Sequence, residues 1–292
     1  MTGVQTCALP ILINISASKF VNNTSVEAAA FYINNTTNFI FKNSTVSDSK
    51  TSYGFQIDNA ENITLDNATI TDNKAGGFVL DDTSKKIIIK NSTISANKNS
   101  SGAIIKNSAA LVEITKSNFS SNEADKGAAL YLANNQNEII ISDSEFAHNK
   151  ALKKGGALYI KAKSNTSRVI LKGKTLFESN NAKEEKGGGA IYFIAAGKFS
   201  GSKYTIKPTK EVDTDLKTRA TLIVDTDIAS FTNNTTGDAV IDPDEPTKPA
   251  KGNIGNSIYV KLVTSTGIIW QDIVEFRKSS LTKTEDKEVA GD

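Results

Sequence analysis

Paired acidic residues are the feature of this sequence with the clearest potential for chemistry. Asp81 and Asp82 are adjacent, and one residue separates Asp225 from Asp227. Clustered carboxylates can hold calcium, or they can supply the acid and the base that cleave a glycosidic bond. Both pairs fall at strand ends or turns of the repeat described below, without an Arg or His near them in its register. The pairs therefore favour solvated turns over a catalytic site.

Two further groups of titratable residues were weighed for metal or acid–base chemistry. Asp242, Asp244 and Glu245 lie in a proline-rich stretch whose spacing follows no known calcium-loop pattern. His148 is the only histidine and Cys7 the only cysteine, so neither has a like partner with which to form a metal site or a catalytic set. We therefore expect no catalytic, cofactor-binding or metal-binding residues.

Composition excludes several classes of protein. Lys and Arg number 34 and Asp and Glu number 32, a net charge of +2 without the basic patch that nucleic-acid binding needs. No stretch is apolar over the length of a membrane span. The only methionine, Met1, falls with Cys7 in residues 1–11, which resemble a translated sequencing adapter. We expect residues 1–11 to be a non-native leader, so that a missing export signal says nothing about location.

A repeat of 24–27 residues organises the chain. Each unit contains an apolar residue after a short run of Ser, Thr or Asn, which we call the anchor. The six anchors are Phe20, Val46, Ile70, Ile94, Phe119 and Phe146. Apolar residues also stand seven and five positions before each anchor, as Ile139 and Ile141 do. A separation of two residues places both side chains on one face of an extended strand.

A third extended segment follows each anchor and predicts two more inward columns. The first contains Phe31, Phe55, Phe78, Ile104, Leu130, Leu158, Ile191 and Ile258; the second contains Ile33, Ile57, Leu80, Lys106, Leu132, Ile160, Phe193 and Val260. Three short strands per unit of about 25 residues bury these columns only if the units stack. The sequence therefore predicts an all-β, right-handed parallel β-helix of about eight coils. An antiparallel β-sandwich or a leucine-rich repeat fits the constant offsets less well.

Glycine and asparagine mark the corners between the predicted strands. Gly127, Gly155 and the run Gly187–Gly189 precede the third strand, where a positive φ or a close approach is easiest without a Cβ atom. Asn recurs three residues after the anchors, at Asn73, Asn97, Asn122, Asn149 and Asn180. Asn tolerates the left-handed conformation, and stacked copies can hydrogen-bond one another. We expect these asparagines to form a structural ladder.

An outward column lies between the two inward columns of the third strand. It contains Tyr32, Gln56, Val79, Ile105, Tyr131, Tyr159, Tyr192 and Tyr259. The four tyrosines from Tyr131 to Tyr259 would form a ladder along the outside of the rod, and they are the candidate partner-binding face. Ring stacking stabilises a sheet by itself, so a purely structural role is the alternative.

The regular pattern assigns residues 12–278 to the β-helix, with insertions at 197–220 and 238–253. Loops of this kind on a repeat rod are usually solvated, although binding specificity is also often placed on them. Residues 279–292 are polar and predict a disordered tail.

Several motifs resemble the polymorphic outer-membrane protein repeats of chlamydial-type autotransporter passengers. The matching residues are Phe119-Ser-Ser-Asn122, Phe146-Ala-His-Asn149, Phe177-Glu-Ser-Asn180, Phe231-Thr-Asn-Asn234 and Phe20-Val-Asn-Asn23, with Gly155-Gly-Ala-Leu158 and Gly188-Gly-Ala-Ile191. Residues 119–193 carry most of the resemblance. It implies a pectin-lyase-like β-helix displayed at a bacterial outer-membrane or extracellular surface and associated with adhesion to host cells.

The function that we expect is therefore non-enzymatic adhesion or display by a monomeric rod. Its partner would be a host-cell glycan or surface protein, and no cofactor or nucleic acid is expected. The alternative is a polysaccharide lyase or glycoside hydrolase on the same scaffold. A cleft lined by three or more carboxylates with a Lys or Arg nearby would favour the enzyme, and a smooth rod would favour adhesion, since a fold alone does not define an activity.

Overall fold

The computed structural model describes residues 11–135, 137–162, 167–184, 187–195, 221–225, 230–232, 234–236, 258–262, 274–277 and 289–291. All regular elements in these ranges are β-strands, and every strand pairs in parallel with its neighbours one coil away. Parallel pairing over the full length requires stacked coils, because each strand hydrogen-bonds to its counterpart in the next repeat.

The largest sheet has sixteen strands and divides after its third strand. Its undivided part contains β1 (Leu12–Ser16), β3 (Ala28–Lys42) and β5 (Tyr53–Asp66). One arm contains β8 (Lys86–Lys90), β11 (Leu111–Thr115), β15 (Glu138–Ser142), β19 (Arg168–Lys172), β23 (Thr221–Asp225) and β27 (Val274–Arg277). The other contains β7 (Phe78–Asp81), β10 (Ala103–Lys106), β14 (Leu130–Asn135), β18 (Leu158–Ala162), β22 (Ile191–Ala195), β26 (Ile258–Leu262) and β28 (Val289–Gly291). The two arms supply two faces of the rod.

Two smaller sheets complete the coils. The second has eight strands: β2 (Lys19–Val21), β4 (Thr45–Ser47), β6 (Thr69–Thr71), β9 (Thr93–Ser95), β12 (Asn118–Ser120), β16 (Glu145–Ala147), β20 (Leu176–Glu178) and β24 (Ser230–Thr232). The third has four: β13 (Glu123–Lys126), β17 (Lys150–Lys154), β21 (Asn181–Ala182) and β25 (Thr235–Thr236). Six strands of the second sheet carry an anchor at their centre, and Phe177 and Phe231 take the same position in β20 and β24.

The predicted fold, a right-handed parallel β-helix, is confirmed. The regular turns number about six, slightly fewer than the eight coils expected. The sequence count included every copy of one strand type, whereas a regular turn needs the strands of all faces. Among the described residues, no helix is long and apolar enough to cross a membrane.

The anchors point into the core, as the repeat predicts. Phe119 and Phe146 are 0% exposed, and their ring centroids lie 4.9 Å apart in a stacked arrangement. The first strand behaves in the same way, because Ile139 pairs with Val112 and Ile141 with Ile114, and all four side chains are buried. Coil-to-coil stacking of identical columns therefore removes the apolar surface that an isolated repeat would expose.

One coil departs from the predicted columns by one residue. We expected Ile104 and Lys106 to face inward and Ile105 outward, but Ile105 is buried and Ile104 is only partly buried. Ala103 pairs with Phe78 and takes the inward position, and Lys106 faces outward. The shift spares the core a charged lysine, since burying an unpaired ammonium group is costly.

The strand that supplies the stacked aromatic rings of the core changes along the rod. In the N-terminal coils the third strand supplies the rings, and Phe31, Phe55 and Phe78 stack at centroid distances of 4.8 and 5.0 Å. In the later coils the anchors supply them, and Phe146 stacks on Phe177 at 4.9 Å. Phe20, Phe39 and Phe41 add further rings to the first coils, where each lies 5.3–5.9 Å from Phe31 between ring centroids.

Glycines occupy the predicted corner, with positive φ at Gly127, Gly155 and Gly188. The asparagine corner differs from our expectation, because the left-handed residue is the one before each ladder asparagine, as Asp72 is before Asn73. A tight turn needs a left-handed residue there, and this leaves the following side chain free to point into the rod.

The leader, the insertions and the tail assigned from the sequence lie wholly or largely outside the described residues. Residues 1–10 of the expected leader and both insertions, 197–220 and 238–253, lie outside the described residues. The tail at residues 279–292 was expected to be disordered, but Val289–Gly291 forms β28 and pairs with β26.

Candidate binding groove

A difference in turn length builds the candidate site. The third strand begins its inward column 8 or 9 residues after the anchors Val46, Ile70 and Ile94, but 11 and 12 residues after Phe119 and Phe146. The additional residues form β13 and β17, the first strands of the third sheet. The sequence analysis did not identify this sheet, although the longer spacing was visible. The extra strands stand beside the outward column of the third strand.

The outward column carries three stacked tyrosines. Tyr131 pairs with Tyr159, and Tyr159 with Tyr192, in the parallel register. The ring centroids lie 5.0 Å apart in the first pair and 5.6 Å in the second, with interplanar angles of 3° and 1°. Tyr259 takes the next position in the register, opposite Tyr192.

Two of these rings are more buried than expected. We predicted a ladder on the open surface, but Tyr159 is 7% exposed and Tyr192 1% exposed. Each ring covers the next, and lysines from the third sheet cover their edges. The Lys126 Nζ lies 5.4 Å from the centroid of the Tyr159 ring, and the Lys154 Nζ lies 4.8 Å from that of Tyr192, both within cation–π range.

The groove begins where the tyrosines end. In the coil before Tyr131, the paired outward residue is Ile104, and before that it is Val79. These smaller side chains leave a cavity of about 450 Å³ bounded also by Ser100, Lys126 and other residues of the third-sheet side. A second cavity of about 320 Å³ shares Lys126 with the first and extends past Tyr192. We refer to the two together as the groove.

Lysines dominate the charge of the groove. Those in its lining are Lys106, Lys126, Lys153, Lys154 and Lys161, against the carboxylates of Asp125 and Glu184. Ion pairs join Lys153 to Asp125 at 2.7 Å, Lys154 to Glu184 at 3.3 Å and Lys106 to Asp81 at 2.9 Å. Within the described part of the chain, no carboxylate lies within 4.0 Å of the Lys126 or Lys161 ammonium group. The groove therefore has an excess of positive charge.

Burial and neighbours set the protonation of the groove. Burial raises the pKa of Tyr159 to about 12, and the neighbouring Tyr131 and Tyr192 add to the rise. Burial lowers the pKa of Lys154, but the hydrogen bond to the Tyr192 hydroxyl and the charge of Glu184 outweigh it, so the net shift is upward. At neutral pH the phenol is neutral and the ammonium group is charged, which suits binding of an anion.

The asparagines form a continuous ladder inside the rod. Asn122 is typical: its Nδ2 donates to the Asn149 Oδ1 at 3.0 Å and to the Ile94 carbonyl at 3.0 Å. Its Oδ1 accepts from the backbone N–H and the Nδ2 of Asn97. Equivalent bonds connect Asn73, Asn97, Asn122, Asn149 and Asn180, and the series continues to Asn234. All five are 0% exposed, so their role in the structure is to satisfy buried polar groups of one another.

The titratable residues considered from the sequence do not come together. Asp81 pairs with Lys106 and accepts a hydrogen bond from Asn107, whereas Asp82 has a positive φ of 52° in a turn. His148 is exposed at a left-handed turn position. In the described ranges no three His, Cys, Asp or Glu residues form a group that could hold a metal ion.

The other candidates from the sequence cannot be placed in a site. Asp225 ends β23, while Asp227, Asp242, Asp244 and Glu245 lie outside the described residues. The sequence analysis missed the residues that form the groove, because a lysine in a turn is usually an ordinary solvated residue. Two features of the sequence together could have identified them. They are the longer spacing between the anchor and the third strand, and a Lys directly before the glycine of the corner.

Comparison with known families agrees with this geometry. A right-handed parallel β-helix is the class that the coils define, and residues 10–112 match the family described as right handed beta helix region. Residues 143–161 match the Chlamydia polymorphic membrane protein repeat. This match spans the anchor Phe146, the ladder residue Asn149, the corner Gly155 and the groove residues Tyr159 and Lys161. No curated protein and no solved structure matches the chain.

The resemblance drawn from the sequence is thus confirmed in two segments: residues 10–112 resemble a right-handed β-helix region, and residues 143–161 resemble a polymorphic membrane protein repeat.

Proposed function

We propose that this chain is a non-enzymatic passenger segment, displayed at an outer-membrane or extracellular surface, that binds a partner through the groove. The observation that carries the proposal is the interrupted tyrosine column beside a wall of lysines. Aromatic rings with convergent polar groups in a concave site are typical of ligand-binding surfaces. The repeat family supports the surface location, because it is named for a membrane protein.

The lining of the groove supports binding over catalysis. Acid–base cleavage of a sugar needs two carboxylates placed across the bond. The carboxylates in the described lining are Asp125 and Glu184, one in each cavity, and each is engaged by a lysine. Three or more carboxylates would have favoured the enzyme. The tyrosines and lysines instead provide contact area and charge, which are the components of recognition.

A substitution that fills the groove tests the proposal. Ile104 is an outward, partly buried residue at the base of the larger cavity, and Ile104→Trp would occupy that space. Ile140 is a matched control, because it is an outward and partly buried isoleucine on β15, away from the groove. We expect Ile104→Trp to reduce binding of the purified chain to host cells or a glycan array by about tenfold or more, since it removes the contact surface.

The control variant, Ile140→Trp, should bind like the original chain, and circular dichroism should show the same β-sheet content in both variants. Equal loss in both variants, or no loss in either, would remove the groove from the function. Release of reducing or unsaturated sugar from a polysaccharide, abolished by Ile104→Trp, would instead support the enzyme.

A further inference from the structure

The tyrosine column ends with one open ring face. The Tyr131 ring stacks on Tyr159, but the next residue in the register is Ile104, which has no ring. Among the described residues, Tyr159 provides the only ring stacked on Tyr131. Tyr131 and Ile104 both line the larger cavity and both are partly exposed. The rod therefore presents part of an aromatic ring to the cavity, at the point where the smaller Ile104 replaces the next ring of the stack.

The surroundings of this open face are polar and positively charged. Lys106, Lys126 and Lys153 line the same cavity, as do Asn99 and Ser100. Asp125 is the carboxylate in its described lining, and it pairs with Lys153. The Lys126 ammonium group contacts the Tyr159 ring at 5.4 Å and lies near no described carboxylate. An anion in the cavity would give the Lys126 ammonium group a negatively charged partner.

The backbone at the base of the groove argues against a peptide ligand. A peptide that binds a sheet usually adds a strand to an edge through backbone hydrogen bonds. The base of this groove is the face of the sheet, and β10 is already paired with β7 on one side and β14 on the other. Recognition must therefore come from side chains: a ring face, hydroxyl and amide groups, and ammonium groups.

A single-stranded nucleic acid also fits less well. Such ligands stack successive bases on several exposed rings. Here the faces of Tyr159 are covered by Tyr131 and Tyr192, and the two described rings that line the larger cavity, Tyr53 and Tyr131, are not stacked on each other. A cavity of about 450 Å³ is within the usual range for a small ligand or a short oligomer segment.

We infer that the groove binds an acidic glycan, with one sugar ring packed on Tyr131 in the missing position of the tyrosine stack. This inference rests on the proposed function and names its ligand. A pyranose ring offers an apolar face to the tyrosine and hydroxyl groups to Asn99 and Ser100. Its carboxylate lies toward Lys126 and Lys106. The second cavity, which adds Lys154 and Lys161, accepts the next sugar units of the chain.

Binding of a defined uronate oligomer to the whole chain tests the inference. The probe is a short oligogalacturonate, and its control is the same oligomer with every carboxylate reduced to an alcohol. Calorimetry should show binding of the acidic oligomer that weakens as salt rises, because exposed charges are screened. The reduced oligomer should bind about tenfold more weakly or not at all, since charge-assisted hydrogen bonds are lost.

Three variants locate the ligand. Lys126→Gln should weaken binding about tenfold by removing an uncompensated charge, whereas Lys172→Gln, an exposed lysine on β19, should not. Ile104→Tyr should abolish binding, because the new ring completes the stack and fills the cavity. Tyr131→Phe retains the ring and should retain binding. Thermal unfolding of each variant verifies that the rod is intact.

Several outcomes overturn the inference. They are equal binding of the reduced oligomer, unchanged binding by Ile104→Tyr, or stronger binding of an acidic peptide or a single-stranded oligonucleotide to the same groove. If Ile104→Trp abolishes cell binding while the uronate oligomer does not bind, the groove still carries the proposed function and only its ligand was wrong. If the oligomer binds but cell binding survives Ile104→Trp, the ligand stands and adhesion through the groove falls.

Discussion

The outer faces of the early and late coils use the same strand for different purposes. In the coils of Gln56 and Val79, the turn before the third strand is short, and the outer face carries the acidic residues Asp58 and Asp81. In the coils of Tyr131 and Tyr159, a longer turn adds the third sheet, and lysines lie against the rings. A few residues inserted at one corner of a repeat therefore create a walled groove without interrupting the pairing of the third strands.

The interiors of the two regions differ in where they place aromatic rings. Phe78 stacks on Phe55 but is followed in its column by Ala103, so one ring face has no aromatic neighbour. Phe146 lies between Phe119 and Phe177, at 4.9 Å from each. The late anchor column thus runs through four stacked rings, from Phe119 to Phe231, whereas the early third-strand column has three and ends at Phe78.

Truncation of the central ring should produce the largest effect. Phe146→Ala removes a side chain that is 0% exposed and stacked on both sides, so we expect a loss of about 3–5 kcal/mol in the free energy of unfolding. Phe78→Ala should cost less, because Phe78 has one stacked neighbour. Urea denaturation followed by circular dichroism measures both. A larger loss for Phe78→Ala would mean that the early coils hold the tighter core.

Interruption of the asparagine ladder should produce the second-largest loss of stability. Asn122→Ala removes the side-chain acceptor of the Asn97 backbone N–H, and it takes one hydrogen bond each from the Asn97 Nδ2, the Ile94 carbonyl and the Asn149 Oδ1. Each buried group left unsatisfied costs about 1–3 kcal/mol, so the total should be about 3 kcal/mol. Asn62→Ala, at a partly exposed strand position, is the control and should change stability by less than about 1 kcal/mol. Similar losses of stability in the two variants would show that a ladder asparagine stabilises the rod no more than a partly exposed one.

Alkaline pH should expose the burial of Tyr159. Folding raises its pKa from 10.0 to about 12, so its contribution to stability is complete below about pH 10 and is lost as the pH rises to about 12. The loss should be about 1–3 kcal/mol relative to the Tyr159→Phe variant, which cannot ionise there. Denaturation of both proteins across this pH range gives the difference. Parallel curves would show that the ring is as hydrated as in the unfolded chain.

The smallest expected effect concerns the exposed tyrosine of the early coils. A hydrogen bond from its hydroxyl to Asp58 raises the pKa of Tyr32, with burial a lesser cause. Asp58→Asn should return the pKa of Tyr32 toward its ordinary value and leave Tyr159 unchanged. Phenolate absorbance, with Tyr32→Phe used to assign the signal, resolves the two. A shift of Tyr159 on Asp58→Asn would mean that the two regions are electrostatically connected.

The sequence predicted only part of the candidate site. It identified the column that contains Tyr131, Tyr159 and Tyr192, because residues at equal offsets in a repeat must lie above one another. It did not identify their burial or the lysines beside them. The side chain that covers a ring comes from a different coil: Lys126 lies over Tyr159, which is 33 residues away in the chain. No periodicity within one repeat reports such a contact.

By itself, the sequence determined the class of fold, the strands of the two larger sheets and most of the inward columns. The hydrophobic effect acts on every repeat alike, so apolar residues at constant offsets have only one way to become buried together. Only the tertiary structure decided the exact register at Ile104, the burial of the tyrosines and the groove itself. Those features depend on how a turn of one coil packs against the strand of the next, where a shift of one residue exchanges the inside for the outside.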